Sequence, residues 1–289
     1  MENVIKIDTK RERGFNWHTI IAVAIFHVIA VAAFFTFSWQ NLLAAMILWW
    51  ISGSLGIGLG YHRLLTHRGY KAPQWFERFL TLCGTLALQA GPLAWVTTHR
   101  MHHAYTDTEK DPHSPNNGFI WSHIGWICKG KAQLHEMEEH RRYSPDLLKD
   151  PFNEAIEKYY WSTSVVVGLA LFAIGGWQMI VWGIFFRTVV GWHATWLVNS
   201  ATHMWGSRRF ETRDTSTNNP LVAAITFGEG WHNNHHAHPR SAKHGLRWFE
   251  VDFNWIQIYL LEKAGLLKDV YRFDLDERKN EAVPLKKAA

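Results

Sequence analysis

The sequence predicts an all-α integral membrane protein: four transmembrane helices with a helical cap on their cytoplasmic side. Residues 19–37 and 41–60 contain no Asp, Glu, Lys or Arg, and from Tyr159 to Asn199 only Arg187 is formally charged. Split at Gly175-Gly176, these stretches make four spans of about twenty residues, long enough to cross a bilayer. The connections at 38–40 and 175–177 carry no Lys or Arg, whereas Lys6, Lys10, Arg11 and Arg13 crowd the N-terminus, which places both termini in the cytoplasm. An even number of spans then leaves the two long remaining segments on that same side.

Taken in order, residues 1–18 form a cytoplasmic N-terminal segment whose basic run suits an anionic membrane surface or simple solvation. The first span, about 19–37, is a poor signal peptide: it has no small-residue cleavage region and a second span, about 41–61, follows at once. Residues 62–157 make the first part of the cap. Within it 79–96 is apolar, but Glu77 and Arg78 precede it and Gly91-Pro92 interrupts it, so a helix in or near the interface is expected and not a crossing. The third and fourth spans occupy about 158–176 and 178–199, and residues 200–270 complete the cap of a single domain running from 19 to 270. The tail, 271–289, is mixed in charge and poor in aromatics beyond Asp274 and is expected to be mobile.

Average composition, 47% hydrophobic in 289 residues, fits ordinary globular proteins and decides nothing. A soluble protein with fully buried core helices is the competing reading. Seventeen Trp weigh against it, because Trp39, Trp49, Trp50, Trp161 and Trp177 sit near proposed span ends, where interfacial aromatics collect. Cys83 and Cys128 are too few and too far apart for a disulfide framework. The net charge of +5 carries no sign of nucleic-acid binding.

Nine of the eighteen histidines fall into four clusters: His62-Arg-Leu-Leu-Thr-His67, His99-Arg-Met-His102-His103, Asn199-Ser-Ala-Thr-His203 and His232-Asn-Asn-His235-His236. Buried imidazoles need partners at both ring nitrogens, so grouped histidines serve metal chemistry better than packing. Every cluster lies in the cap segments or at span ends that open onto them. On an ideal helix His99, His102 and His103 share a face, as do His232, His235 and His236, so facing helices could hold two metals. His62 and His67 would diverge by roughly 140° on such a helix and are expected to straddle the frayed end of the second span. His203 lies just past the fourth.

Imidazole suits Zn, Cu, Fe and Ni, but the chain offers neither a thiolate zinc site nor the Glu-x-x-His pairs of soluble di-iron bundles. Nine imidazoles exceed the needs of one four- or five-coordinate ion. A dinuclear centre with four or five nitrogens per metal is the economical count, and a redox metal, iron, gains more from it than zinc. Asp107, Asp111 and Glu229 lie close in sequence to the clusters and are candidates to accept a ligand's outer N–H, against the alternative of solvated loop charges. His113, His123, His193, His238 and His244 also lie nearby and read as packing or surface residues.

The motifs HRLLTH, HRMHH, NSATH and GEGWHNNHH resemble those of the membrane fatty acyl desaturases, specifically the stearoyl-CoA desaturase and bacterial Δ9 desaturase group, over about residues 50–260. One such motif is weak, but four in this order around four spans are specific. The resemblance implies a di-iron, O2-dependent enzyme that makes a cis double bond, at the Δ9 position, in a saturated acyl chain. It carries the nine metal ligands onto His62, His67, His99, His102, His103, His203, His232, His235 and His236, and a water-mediated contact onto Asn199. It also carries the residues enclosing the bend of the substrate tunnel onto Gln89, Trp95, Thr195 and Trp196. No cytochrome b5 domain is expected after residue 270, where the tail is short and lacks the haem-binding His motifs, and electrons are expected from a separate cytochrome b5, ferredoxin or similar donor and its reductase. The acyl carrier, CoA or lipid, stays open. The expected location is a bacterial inner membrane, with the active site and termini cytoplasmic.

An unactivated methylene has no acidic proton, so acid–base chemistry cannot start the reaction and an oxidant generated from O2 at iron must abstract hydrogen. The protein's share is placement and exclusion of water. A membrane hydroxylase or alkane monooxygenase uses the same type of centre and is the second reading. A metal transporter is the third, and it would place more polar residues within the spans than His27, Arg187 and His193.

Overall fold

The computed structural model describes residues 14–130 and 133–275; the basic run Lys6–Arg13 and the tail beyond 275 lie outside the described residues. Among the described residues the chain is helical, with isolated β-bridges and no strand. Three helices are long and apolar enough to cross a membrane: Trp17–Phe35, Trp39–Thr66 and Ser162–His203. Their outward faces carry exposed Val28, Phe34, Leu43, Leu169 and Ile174, an apolar surface that suits lipid as solvent.

Helix α1 (Trp17–Val31) starts where the Asn16 side chain accepts the Thr19 N–H at 3.2 Å, and tightens into a 3₁₀ turn at Ala32–Phe35. Ser38 caps α2 (Trp39–Trp49) in the same way, each cap satisfying a donor that the helix leaves open. Without a break, α2 becomes a π-type helix over Trp50–Thr66. This second half is a buried strut. A β-carbon on Gly56 would stand 2.5 Å from the Cys83 carbonyl of α3 (Gln74–Thr85), and one on Gly58 would stand 2.1 Å from the Asn254 amide. Glycine at these positions lets three segments close on one axis. The main core forms there, around Leu59, Tyr61, Leu80, Val96 and Ile258.

After α3 the backbone turns sharply at 86–90, where Leu88 and Ala90 adopt positive φ, before α4 (Pro92–Tyr105). Neither α3 nor α4 is among the candidate spans. Glu157, on a helix at Pro151–Tyr159, accepts the Leu93 and Ala94 N–H groups at 2.8 and 3.0 Å and so anchors the start of α4. Burial pushes the Glu157 carboxyl up from its ordinary value, against those bonds.

The third long helix is bent back on itself. Its first part, α5 (Ser162–Ile180), leaves helical dihedrals at Gly175 and Gly176, the latter with φ +68°. A straight helix would set residues twelve apart about 18 Å from each other, yet a β-carbon on Gly183 would meet the Leu171 side chain at 2.6 Å. A π-type segment, Val181–Phe186, leads into α6 (Arg187–Ser200) and a 3₁₀ turn, Ala201–His203. Helices α7 (His232–Ala237) and α8 (Phe253–Lys263) complete the body. The start of the expected tail is tied down: Tyr271 N–H donates to the Gly69 carbonyl at 2.7 Å, and Phe273 stacks on His238. Cys83 and Cys128 are free.

Candidate metal centre

The nine clustered histidines converge into two adjoining groups. His62, His67, His99, His103 and His235 form one, and His102, His203, His232 and His236 the other, each offering ligand atoms within 4.8 Å of one another. Two helices feed both groups in mirror fashion. On α4 the i, i+4 pair His99/His103 serves the five-membered group and His102 the four-membered one; on α7 the pair His232/His236 serves the four and His235 the five. Residues four apart lie about 40° apart on a helix, while a neighbour is turned by about 100°, so each H-x-x-H-H run straddles two sites.

The π-type turn resolves the first cluster. The His67 N–H donates to the His62 carbonyl, five residues back, at 3.1 Å, and the two rings stand 4.8 Å apart between centroids. Both rings therefore face the five-membered group. The expected frayed helix end is instead an ordered π turn, a device that often marks functional sites.

Inside the groups, Nε2 atoms face Nε2 atoms. His62 approaches His235 at 3.1 Å, His235 approaches His103 at 3.0 Å, His103 approaches His99 at 3.1 Å and His232 approaches His203 at 3.0 Å. The Nε2 atoms of His67, His102 and His236 are buried with no hydrogen-bond partner. Orphaned imidazole nitrogens are costly to bury, and their convergence fits a metal with nitrogen ligands. Burial, reinforced by the neighbouring imidazoles, holds His67, His99, His103, His232, His235 and His236 well below the ordinary histidine range. They therefore stay neutral, the form that ligates.

Carboxylates back the rings from outside. His102 Nδ1 donates to Asp111 at 3.0 Å and His62 Nδ1 to Glu229 at 2.6 Å, while His203 Nδ1 lies 3.2 Å from Asp107. All three acidic residues singled out from sequence thus stand against a clustered histidine. Burial would raise each carboxyl; for Glu229 the Arg63 guanidinium, for Asp107 His203 and for Asp111 His102 outweigh it and hold the group below its ordinary value.

Two cavities meet beside the groups and share Gln89, Trp95, His99, Thr195 and Asn199. The larger, about 460 Å³, runs to Asn16, His18 and Gln133; the smaller, about 70 Å³, runs among Trp49, Ile57, Ala194 and Phe227. At the junction Trp95 Nε1 donates to Gln89 Oε1 at 3.3 Å and Gln89 Nε2 donates to Thr195 Oγ1 at 2.9 Å. Trp196 lines the larger arm.

The family model for fatty acid desaturases matches residues 42–257. The chain belongs to the fatty acid desaturase family. It is 47% identical over 266 residues to the sn-1 stearoyl-lipid 9-desaturase of Anabaena variabilis, covering 91% of this chain and 97% of that protein. To the sn-2 palmitoyl-lipid 9-desaturase of a Nostoc strain it is 43% identical over 264 residues, 90% of this chain and 93% of the relative. An acyl-CoA 5-desaturase of Anemone leveillei is 45% identical over 251 residues, 87% and 78% of the two chains. This chain is accordingly a desaturase, an oxidoreductase of acyl chains.

Sequence reasoning missed part of the desaturase's support. Asp214 Oδ2 accepts from His236 Nδ1 at 2.9 Å, oriented in turn by Thr212 and Ser216. It lies 22 residues from its partner in an irregular loop, and no local spacing signals it. His113 and His244, read as packing or surface, are buried against the groups: the His113 ring lies tilted 4.3 Å from that of His102, and His244 Nδ1 lies 3.3 Å from Glu229. His123 and His193 sit apart from them, in a chain from His27 to Ser200.

Proposed function

We propose that this desaturase inserts a cis Δ9 double bond into a saturated acyl chain of a membrane glycerolipid, using two iron ions, O2 and electrons from an external donor. The observation that carries this reading is the junction of the two cavity arms at His99 and Asn199, between the histidine groups and the Gln89–Trp95–Thr195 cluster. The relatives named as stearoyl-lipid and palmitoyl-lipid 9-desaturases support the position and the lipid carrier.

The five-membered group would hold one iron and the four-membered group the other, with Asn199 reaching the second through water. Bound iron supplies the one-electron chemistry that makes O2 an oxidant strong enough to take hydrogen from a methylene. The chain's own residues then orient the substrate. The larger arm has polar side chains at its outer end, Asn16, His18 and Gln133, and would take the headgroup end; the smaller, apolar arm would take the methyl end. At the bend Gln89, Trp95 and Thr195 satisfy one another's polar atoms, so apolar faces can line a dry wall. Holding C9 and C10 beside the irons turns a nonspecific oxidant into a regioselective one.

Reading the break at Gly175-Gly176 as a hairpin gives four crossings, with 62–157 and 200–270 as a cap on the cytoplasmic face of a bacterial inner membrane. A ferredoxin, cytochrome b5 or similar carrier with its reductase would deliver electrons to that face.

Expression in a host without its own desaturase, followed by gas chromatography of the lipids, tests the reaction. New cis-Δ9 unsaturation is expected, at about two irons per purified chain. Hydroxy acids without unsaturation would overturn the reading in favour of a hydroxylase, and an active enzyme with one iron would overturn the dinuclear assignment.

A further inference from the structure

The turn at 86–90 divides the two cavity arms. Ala87 lines the smaller arm, Leu88 and Ala90 the larger, and Gln89 both. Its backbone is strained: Leu88 and Ala90 hold φ of +51° and +69°, a region that a β-carbon disfavours. Such strain persists only where surrounding groups over-determine it. Side chains of α6 hold its carbonyls, while Trp95 of α4 donates to the Gln89 side chain. Arg187 Nη1 donates to the Leu86 carbonyl at 2.5 Å, Trp192 Nε1 donates to the Ala87 and Leu88 carbonyls at 3.0 and 3.2 Å, and Thr195 accepts from Gln89.

Arg187 is a costly residue to spend on a turn. It is 2% exposed within a candidate membrane span, and its other bonds go to the Gly183 carbonyl and the Ser52 hydroxyl, with no carboxylate among them. Its Nη2 is buried without a partner, and the residue lines the smaller arm. Ionisable groups placed this way in a membrane helix mark function more often than packing.

We propose that Arg187 and Trp192 are positioning residues for regiochemistry: they clamp the 86–90 turn, and through Gln89 they set the depth of the bend and thereby which carbons face the irons. The proposal rests on the tunnel reading given above. A misplacement of about 1 Å costs about a hundredfold in rate for the misplaced centre, and successive methylenes of an extended chain are separated by a comparable distance. A loosened turn therefore spreads the reaction over neighbouring positions.

The test compares Trp192→Phe, Arg187→Met and Gln89→Ala with Trp182→Phe, all expressed as the full chain in a host lacking a desaturase. Trp192→Phe removes the indole N–H and keeps an aromatic ring against Trp196. Trp182→Phe is the control: that indole is equally buried but donates to Thr36, away from the turn. Double-bond position is read by mass spectrometry of derivatised lipids, and iron content on the purified proteins. We expect full iron in Trp192→Phe, a rise of about tenfold in the share of products unsaturated at a neighbouring position, the same direction in Arg187→Met, and no shift in the control. A single unshifted position in Trp192→Phe, with iron intact and Gln89→Ala shifted, would overturn the clamp and leave the tunnel standing. No shift in either would overturn the tunnel reading itself. If Arg187→Met fails to accumulate, Trp192→Phe decides alone.

Discussion

The two histidine groups solve the same problem by different means. In the four-membered group three rings are backed by carboxylates: His102 by Asp111, His203 by Asp107 and His236 by Asp214. In the five-membered group, among the described residues, one ring is so backed, His62 by Glu229. Fewer nitrogens are thus accompanied by more anionic support, and a fifth nitrogen stands where that support is thin. A carboxylate behind an imidazole fixes its tautomer and raises its basicity, so outer charge can compensate for a missing ligand. Glu229 also binds Arg63 and His244, so it ties His62 to two further buried cationic or titratable side chains.

The largest effect should come from removing a ring in either group. His235→Ala and His102→Ala are each expected to abolish product while leaving membrane insertion intact, with iron falling from about two per chain towards one, measured by elemental analysis. Retained activity in either variant would break the pairing of the groups. Next in size are the carboxylates. Glu229→Gln, which removes the one acidic support of its group among the described residues, should weaken iron retention by about 100-fold and Asp214→Asn by about 10-fold, the two ends of the range for outer partners. Competition with a chelator measures both. Equal losses would show that the count of carboxylates does not matter.

Acid offers a smaller, graded probe. The buried rings of His67, His99, His103, His232, His235 and His236 resist protonation, whereas unfolded histidines take up protons near pH 6.5. The unfolded state therefore binds more protons below that pH. Stability contributed by the neutral rings is present above about 6.5 and declines as pH falls, by up to about 1.4 kcal/mol per unit for each histidine. Melting of metal-free protein in detergent between pH 8 and 5 should follow this slope, and a flat profile would contradict the buried neutral rings. Smallest is the change expected at His193, which bonds to His27 and His123 outside both groups. His193→Asn should leave iron content unchanged and shift stability by about 0.5 kcal/mol or less.

Much of this site is legible in the chain because its signals are local. The H-x-x-H-H spacing at 99–103 and 232–236 announces convergent rings, and Asp107, Asp111 and Glu229 stand within a few residues of the rings they support or of their neighbours. The first cluster misleads because an α-helical period was applied to Trp50–Thr66, where i→i+5 bonding brings His62 and His67 to one side. Asp214, His113 and His244 are hidden for a different reason: each reaches its partner through a loop whose path no periodicity encodes.

By itself the sequence determined which residues are apolar for long enough to meet lipid, where the charge-free turns fall, and that nine imidazoles must be gathered, because hydropathy and short-range spacing are properties of the chain. Tertiary structure alone decided how the nine divide into five and four, which carboxylate stands behind which ring, and how α6 holds the turn that parts the cavity arms. Those arrangements depend on the angles at which α4, α6 and α7 meet the π-type half of α2. Such angles follow from long-range packing and backbone hydrogen bonding.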